Sequence, residues 1–280
     1  MGLHTGCRAG ILAVCIIAGP ARGQEAAAPP APDGGYRVDE VKGLPGLLWD
    51  DTKALAAAPG SWTGQDRVKA GLGAAAVLAT GLLLDHAVDQ AVLRNDHPSW
   101  RNAARNVAQL GGAGGLVLIG GGYLVTSVLG QDQGRALWVD TGIATVLARA
   151  TAFAVQGATG RAVPSDGRGS HDFRPLSGQD GFPSGHASQA FAMASAISMH
   201  ADNPWLGGVA YGLAGLVGLA RLETRDHYTS DVVAGALVGT TIGRAVVKVN
   251  RGLRGESGVE VSMVPAWSRD YRGLEFVARF

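Results

Sequence analysis

The chain has 280 residues, a formal net charge of +1 and two cysteines. A near-neutral charge without a basic stripe argues against a nucleic-acid partner. Both cysteines, Cys7 and Cys15, lie in the first apolar stretch, so the rest of the chain can form neither a disulfide nor a cysteine-metal site.

The first 23 residues are predicted to be a secretory signal peptide. Arg8 provides positive charge, an apolar run follows from Ala9 to Gly19, and Ala21-Arg22-Gly23 resembles a small-x-small cleavage site. Such a leader predicts export to the cell envelope.

Two short segments separate this leader from the main apolar region. Residues 24–35 are rich in Ala, Pro and Gly and are predicted to be a disordered linker. Residues 36–66 form an N-terminal arm in which leucines and tryptophans are spaced for an amphipathic segment at a membrane interface. An ordinary packing arm is the alternative interpretation.

Residues 67–250 are predicted to be a single helical core. Six apolar stretches suited to helices occupy residues 68–84, 109–130, 136–156, 187–199, 205–220 and 231–247. Many of the 43 glycines lie in these stretches, where small residues let helices approach closely. The connections are short except at 85–108 and 157–185. The second of these is expected to be a substrate-binding loop, because it leads into the polar motifs described below.

The last segment, residues 251–280, has a different pattern of apolar residues from the helical core. Val259–Val264 and Leu274–Phe280 alternate apolar and polar residues, which predicts a β-hairpin. The predicted fold is therefore an all-α, six-helix bundle with a short C-terminal β-hairpin.

The most informative motif is Pro183-Ser184-Gly185-His186, which opens the fourth apolar stretch. Pro and Ser are common at helix starts, and Gly lets the backbone approach a ligand closely. A helix start has unpaired N–H groups and partial positive charge, so it suits an oxyanion. His186 is then placed to exchange a proton beside that anion.

A second motif follows at the end of the fifth stretch. Arg221 provides a planar fork that matches phosphoryl oxygens. His227 and Asp231 are four positions apart and share a face if the last helix has already begun at His227. A carboxylate on one ring nitrogen would raise the basicity of the other and make His227 a nucleophile toward phosphorus.

Together these motifs resemble the type-2 phosphatidic acid phosphatase superfamily, which also includes bacterial acid phosphatases and vanadate-dependent haloperoxidases. Its Pro-Ser-Gly-His motif is intact at 183–186. Its Ser-Arg-x5-His-x3-Asp motif reads Ala220-Arg221-x5-His227-x3-Asp231, so only the leading serine is replaced. The resemblance covers roughly residues 70–250, and its family core also has six helices.

The resemblance implies a role for each matched residue. His227 attacks phosphorus to form a phosphohistidine, Asp231 orients His227, and His186 protonates the leaving oxygen. Arg221, the Ser184 hydroxyl and the Gly185 amide hold the phosphoryl oxygens. The family reaction needs no metal and no cofactor, so none is expected here.

The first motif of the family, Lys-x6-Arg-Pro, is degenerate in this chain. Gln156 stands at the lysine position and Val163 at the arginine position, before Pro164. Two of three expected cations are therefore missing, which is expected to slow the reaction by several orders of magnitude unless another cation replaces them. The candidates for replacement are Arg161, Arg168, Arg174 and Arg225. Of these, Arg161 and Arg174 are predicted as candidate phosphate-binding residues.

The predicted activity is hydrolysis of phosphomonoesters or lipid phosphates and pyrophosphates in the cell envelope. The alternatives are a phosphotransferase, a catalytically impaired pseudoenzyme of the same fold, and a vanadate-dependent haloperoxidase, which the missing cations disfavour.

Membrane association is expected because residues 110–130 are uncharged and long enough to span. A mean hydropathy of +0.13 is low for six spans, and a soluble periplasmic bundle is the alternative. With a cleaved leader, three spans would carry the 157–185 loop to the cytoplasm, so a periplasm-facing site requires an even number of spans before that loop.

Overall fold

A computed structural model describes residues 43–95, 97–201, 203–254, 260–267 and 272–279. The predicted signal peptide, the linker and the first part of the N-terminal arm lie outside the described residues. Nine α-helices occur within these ranges: α1 (Leu44–Ala57), α2 (Gly64–Leu83), α3 (Asp85–Arg94), α4 (Pro98–Ala108), α5 (Ala113–Val128), α6 (Asp132–Thr159), α7 (Gly185–His200), α8 (Pro204–Glu223) and α9 (Thr229–Leu253). The strands β1 (Glu260–Trp267) and β2 (Arg272–Arg279) pair antiparallel, with Glu260 opposite Arg279.

The mostly helical fold agrees with the prediction, and each of the six apolar stretches coincides with one helix, α2 or α5 to α9. The prediction of a long connection over 85–108 is wrong, because this region forms α3 and α4. These helices are short and amphipathic rather than apolar throughout. On α4, Ala104 and Ala108 are buried against Ala220 of α8, while most of the other side chains are polar.

Helix α7 lies at the centre of the core and packs against α6, α8 and α9. Its approach to α9 depends on three glycines one turn apart. A Cβ at Gly235 would lie 2.6 Å from the Ser184 carbonyl oxygen, and one at Gly243 would lie 2.6 Å from that of Ala192. Between them, a Cβ at Gly239 would overlap the Ser188 carbonyl oxygen. The two backbones are therefore too close for any side chain on this face of α9.

The carboxylate of Asp140 on α6 accepts hydrogen bonds at the C-terminal ends of α7 and α9. Asp140 Oδ1 accepts from Asn250 Nδ2 at 2.8 Å, and both its oxygens accept from Arg254 at 3.0 and 3.1 Å. His200 Nε2, at the end of α7, lies 2.8 Å from Asp140 Oδ2. These contacts join the C-terminal ends of α7 and α9 to α6.

Two helices, α8 and α9, are long and apolar enough to cross a membrane on their own. Two bent pairs also satisfy this test of length and composition, α2 with α3 and α4 with α5, at bends of 47° and 46°. The stretch at 110–130, expected to be the best span, is thus a candidate only together with α4. The reason is a 3-10 turn at Gln109–Gly111, which breaks the helix and leaves α5 with 16 residues.

Candidate active site

The Pro-Ser-Gly-His motif forms the start of α7, as expected from its residue types. Ser184 is the N-cap residue, and its Oγ accepts from the Ala187 backbone N–H at 3.4 Å. The Ser184 backbone N–H donates to the Asp231 carbonyl oxygen at 2.9 Å. The first turns of α7 and α9 are therefore held together.

His227 lies immediately before this junction, and only 5% of it is exposed. Its Nδ1 is 2.7 Å from the carbonyl oxygen of Gly181. Because a carbonyl oxygen can only accept, this contact places the ring proton on Nδ1 and leaves a lone pair on Nε2. The ring is thereby set as a nucleophile in its neutral form.

The hydrogen bond that His227 was expected to donate to the Asp231 carboxylate is replaced by its contact with the Gly181 carbonyl oxygen. Asp231 Oδ2 accepts from the Tyr228 backbone N–H at 2.7 Å, and Oδ1 accepts from Arg161 Nη1. The reason is that α9 begins at Thr229, so His227 precedes the helix and shares no helical face with Asp231. Asp231 instead caps the helix that follows the histidine.

Arg221 lies in the last turn of α8, and its backbone carbonyl accepts from the His227 backbone N–H at 3.3 Å. One guanidinium nitrogen, Nη1, pairs with Asp226 Oδ2 at 2.9 Å. Its Nε is buried and has no hydrogen-bond partner among the described residues. A buried N–H without an acceptor is costly, and a phosphoryl oxygen would satisfy it.

The two histidines share one electrostatic environment. Burial, and after it the nearby charges of Arg221 and Arg149, lower the pKa of His186 to about 4. Burial also lowers the pKa of His227 to about 3, with Arg221 as the next cause and with His186 and Arg149 also contributing. Both rings are therefore neutral at neutral pH while the site holds no anion.

Arg161, a candidate for phosphate binding, donates its hydrogen bonds to other groups of the protein. Its Nη1 donates to Ser230 Oγ at 2.7 Å and to Asp231, and its Nη2 donates to Asp85 Oδ2 at 2.7 Å. Nε and Nη2 both donate to the Ser170 carbonyl oxygen. These contacts use all five guanidinium donors, so none remains for a substrate.

The other three arginines considered as replacements are also paired with carboxylates. Arg174, whose side chain is 59% exposed, pairs with Asp172 at 2.9 Å, and Arg168 pairs with Asp166 at 2.6 Å. Arg225 binds Asp89 through Nε and Nη2 at 2.8 and 3.2 Å. The structure does not bring any of these guanidinium groups to the two histidines.

Gln156, at the lysine position of the degenerate motif, does lie at the site. Its Nε2 donates to the carbonyl oxygens of Asp180 and Pro183 at 3.0 and 2.9 Å, so it supports the loop that leads into α7. Its Oε1 accepts from Arg149 Nη1 at 3.2 Å. Arg149 was missed by motif reasoning, although a charge inside an otherwise apolar helix was a visible signal.

A metal site is a separate question from these polar contacts. Within the residues that the structure describes, no group of three or more His, Cys, Asp and Glu side chains is arranged to hold a metal ion.

Comparison with known proteins agrees with this geometry. The sequence model of the PAP2 superfamily, the type-2 phosphatidic acid phosphatases, matches residues 138–254. This range includes α7, both histidines and Arg221. Residues 138–254, somewhat under half of the chain, therefore form a region of the PAP2 superfamily type.

One curated relative is the lipid A 1-phosphatase of Porphyromonas gingivalis, which is 36% identical over 64 residues. The match covers 22% of this chain and 14% of that protein.

Two solved structures are similar in fold. Aquifex aeolicus LpxE is 22% identical, with a TM-score of 0.44, and the match covers 59% of this chain and 95% of that one. A transmembrane PAP2-type phosphatidylglycerolphosphate phosphatase from Bacillus subtilis is 20% identical, with a TM-score of 0.41, and the match covers 76% of this chain and 96% of that one.

Proposed function

We propose that this protein is a metal-independent phosphatase that hydrolyses phosphate monoesters of lipids through a phosphohistidine on His227. The observation that carries the proposal is a neutral, oriented imidazole close to an arginine that has one unsatisfied N–H group. Gly181 fixes the proton on Nδ1 of His227, and the adjacent Arg221 has a buried N–H without an acceptor. A nucleophile beside an anion-binding group is the arrangement that phosphoryl transfer requires.

In the first step, the Nε2 lone pair of His227 attacks phosphorus while the bond from phosphorus to the leaving oxygen breaks. Arg221, the Ser184 hydroxyl and the Gly185 N–H hold the three remaining oxygens. His186 gives its proton to the leaving oxygen. A bound phosphate dianion favours the protonated form of His186, because an opposite charge raises the pKa of a cationic acid.

In the second step, water attacks the phosphohistidine. His186, now neutral, takes a proton from that water, the bond between phosphorus and Nε2 breaks, and inorganic phosphate leaves. Asp231 acts as a positioning residue in both steps. Its side chain caps α9 directly after His227, and its carbonyl oxygen holds the N-cap residue of α7.

A lipid phosphate is the preferred substrate class, and a cell membrane is the proposed location. Support comes from α8 and α9, which are apolar enough to span, and from the lipid substrate in the name of the curated relative. The predicted leader supports a site that faces the periplasm. A soluble phosphomonoester and a soluble periplasmic location are the alternatives.

The test is turnover by the purified full chain in detergent micelles, with phosphatidic acid, lipid A and an aryl phosphate as substrates. With a chelator present, we expect phosphate release that falls by about 10³-fold or more in His227→Ala. His86→Ala is the control, because His86 is an exposed histidine on α3. A radiolabelled phosphate should also become attached to the wild-type protein in an acid-labile form.

Three outcomes would contradict the proposal. Turnover that persists in His227→Ala would rule out a phosphohistidine intermediate on His227. Transfer of phosphate only to an added alcohol would indicate a phosphotransferase, and no turnover of any substrate would indicate a pseudoenzyme.

A further inference from the structure

We propose that Arg149 is the phosphate-binding cation that replaces the missing lysine of the first motif, and that Gln156 is the residue that positions it. The inference rests on the proposed function and deepens it, because it assigns to this site a residue outside the three motifs.

The first step of the argument is position along α6. Arg149 and Gln156 are seven residues apart in one continuous helix, which is about two turns, so they share a face. Helical side chains lean toward the N-terminus, so a side chain at 156 leans back toward 149. The two side chains meet, with Nη1 of Arg149 3.2 Å from Oε1 of Gln156. The Arg149 guanidinium thus lies near the tip of the side chain at the lysine position.

The second step is contact with the anion-binding backbone. A Cβ at Gly185 would overlap Arg149 Nη1 and lie 3.0 Å from its Cζ. The guanidinium therefore lies against the first residue of α7, where unpaired N–H groups favour an oxyanion. The charge of Arg149 also reaches the reacting groups, since it contributes to lowering the pKa of both His186 and His227.

The third step concerns why glutamine occupies position 156. Both hydrogens of its amide are used by the carbonyl oxygens of Asp180 and Pro183, which fixes the direction in which Oε1 faces. That oxygen accepts from Arg149. A lysine has no acceptor and would place a second cation against the guanidinium, so glutamine is the residue that complements an arginine at 149.

The fourth step compares Arg149 with the other candidate cations. Arg161, Arg168, Arg174 and Arg225 each pair with at least one carboxylate. For Arg149, the described part of the chain shows a hydrogen bond to a neutral amide and no ion pair. An exposed cation that lies beside Gly185 and is not paired with a described carboxylate is available to a phosphate dianion.

The experiment compares kcat and KM of the wild type with Arg149→Ala, Gln156→Lys and the double variant Arg149→Ala/Gln156→Lys. Orthovanadate binding to each protein is measured in parallel, as a readout that needs no turnover. Arg105→Ala is the matched control. Arg105 is also an exposed arginine that bonds a neutral side-chain oxygen on its own helix, Asn102 Oδ1 at 3.3 Å, and it lies on α4.

We expect Arg149→Ala to lower kcat/KM and orthovanadate affinity by about 10- to 100-fold, because a charge-assisted hydrogen bond to the anion is lost. Arg105→Ala should leave both unchanged. The double variant should recover at least about 10-fold of the loss, because a lysine at 156 then has the family's position and no competing guanidinium.

The proposal is overturned if Arg149→Ala behaves like Arg105→Ala, or if adding Gln156→Lys to Arg149→Ala restores neither turnover nor orthovanadate binding. Failure of the proposed function can be distinguished from failure of the Arg149 inference. If the wild type hydrolyses no ester but Arg149→Ala weakens orthovanadate binding, the anion-binding role is supported and the phosphatase is not. If the wild type neither turns over nor binds orthovanadate, both proposals fall.

Discussion

The chemistry available to each polar side chain depends on the hydrogen bonds it already makes. Arg161 and Arg221 are both largely enclosed arginines near the same two helix starts. All five donors of Arg161 are taken, whereas Arg221 keeps a buried N–H without a partner. Arg161 is therefore held in structural ion pairs, whereas Arg221 is the proposed phosphate-binding residue, although both are arginines.

The titration of the two histidines gives a prediction at this scale. In the protein without ligand, we expect NMR signals of the His227 and His186 rings to show the neutral form from pH 8 down to about pH 5. The reason is that burial and neighbouring cations lower the pKa values to about 3 and about 4. The His227 signal should show the proton on Nδ1.

Orthovanadate supplies the control for that titration. A bound anion should raise the pKa of His186, because it offsets the charges of Arg221 and Arg149. A midpoint near 6.5 for His227 without ligand would contradict the buried, cation-flanked environment.

At the scale of elements, the site is made by two helix starts that are held against each other. Ser184 caps α7, Asp231 caps α9, and the Ser184 N–H bonds the Asp231 carbonyl. This junction requires the backbones of α7 and α9 to be close, which the glycines of α9 permit. Packing between α7 and α9 therefore controls the geometry of the candidate site.

Substitution of Gly239 by alanine tests this dependence. Its Cβ would overlap the Ser188 carbonyl oxygen, one turn from Ser184, and lie 2.8 Å from the Ala192 nitrogen. We expect a loss of stability of about 1–3 kcal/mol, seen as a lower melting temperature in detergent, together with lower kcat.

The matched control for Gly239→Ala is Gly212→Ala on α8, where nothing lies within 4 Å of an added Cβ. That change should be neutral or stabilise by about 0.5–1 kcal/mol, because alanine is the better helix former. Equal melting temperatures for the two variants would refute the close-packing argument.

At the scale of the whole molecule, apolar side chains remain exposed over much of the helical surface. They include Leu78, Leu82, Leu83, Leu116, Val117, Leu124, Val128, Leu213, Leu216 and Leu219. They lie on α2, α5 and α8, which are candidate spans alone or as members of a bent pair. A surface of this kind is stable in lipid and aggregates in water.

Membrane insertion can be tested by extraction of membranes that contain the full chain. We expect the protein to stay in the pellet at alkaline pH in sodium carbonate and to be released by detergent, as the proposed location of its apolar helices in the bilayer requires. A peripheral protein prepared in the same way provides the control and should appear in the supernatant. Release of the full chain by carbonate would favour the soluble bundle.

By itself, the sequence determined the residue types of the site and most of the helices. The spacing in Pro183-Ser184-Gly185-His186 and Arg221-x5-His227 is local, so the helix starts and their reactive side chains follow from capping and apolar periodicity. Only α3 and α4 were missed among the helices of the core, because short amphipathic helices lack a continuous apolar run.

The tertiary structure alone decided which partner each of these side chains has. His227 is oriented by Gly181, 46 positions earlier, and Arg161 pairs with Asp231, 70 positions later. Local spacing does not specify such contacts, because they depend on how the helices pack and on which donors the packing brings within hydrogen-bond distance of an acceptor. For the same reason Arg149, two turns before the lysine position at Gln156, became a candidate phosphate-binding residue only when α6 was placed beside α7.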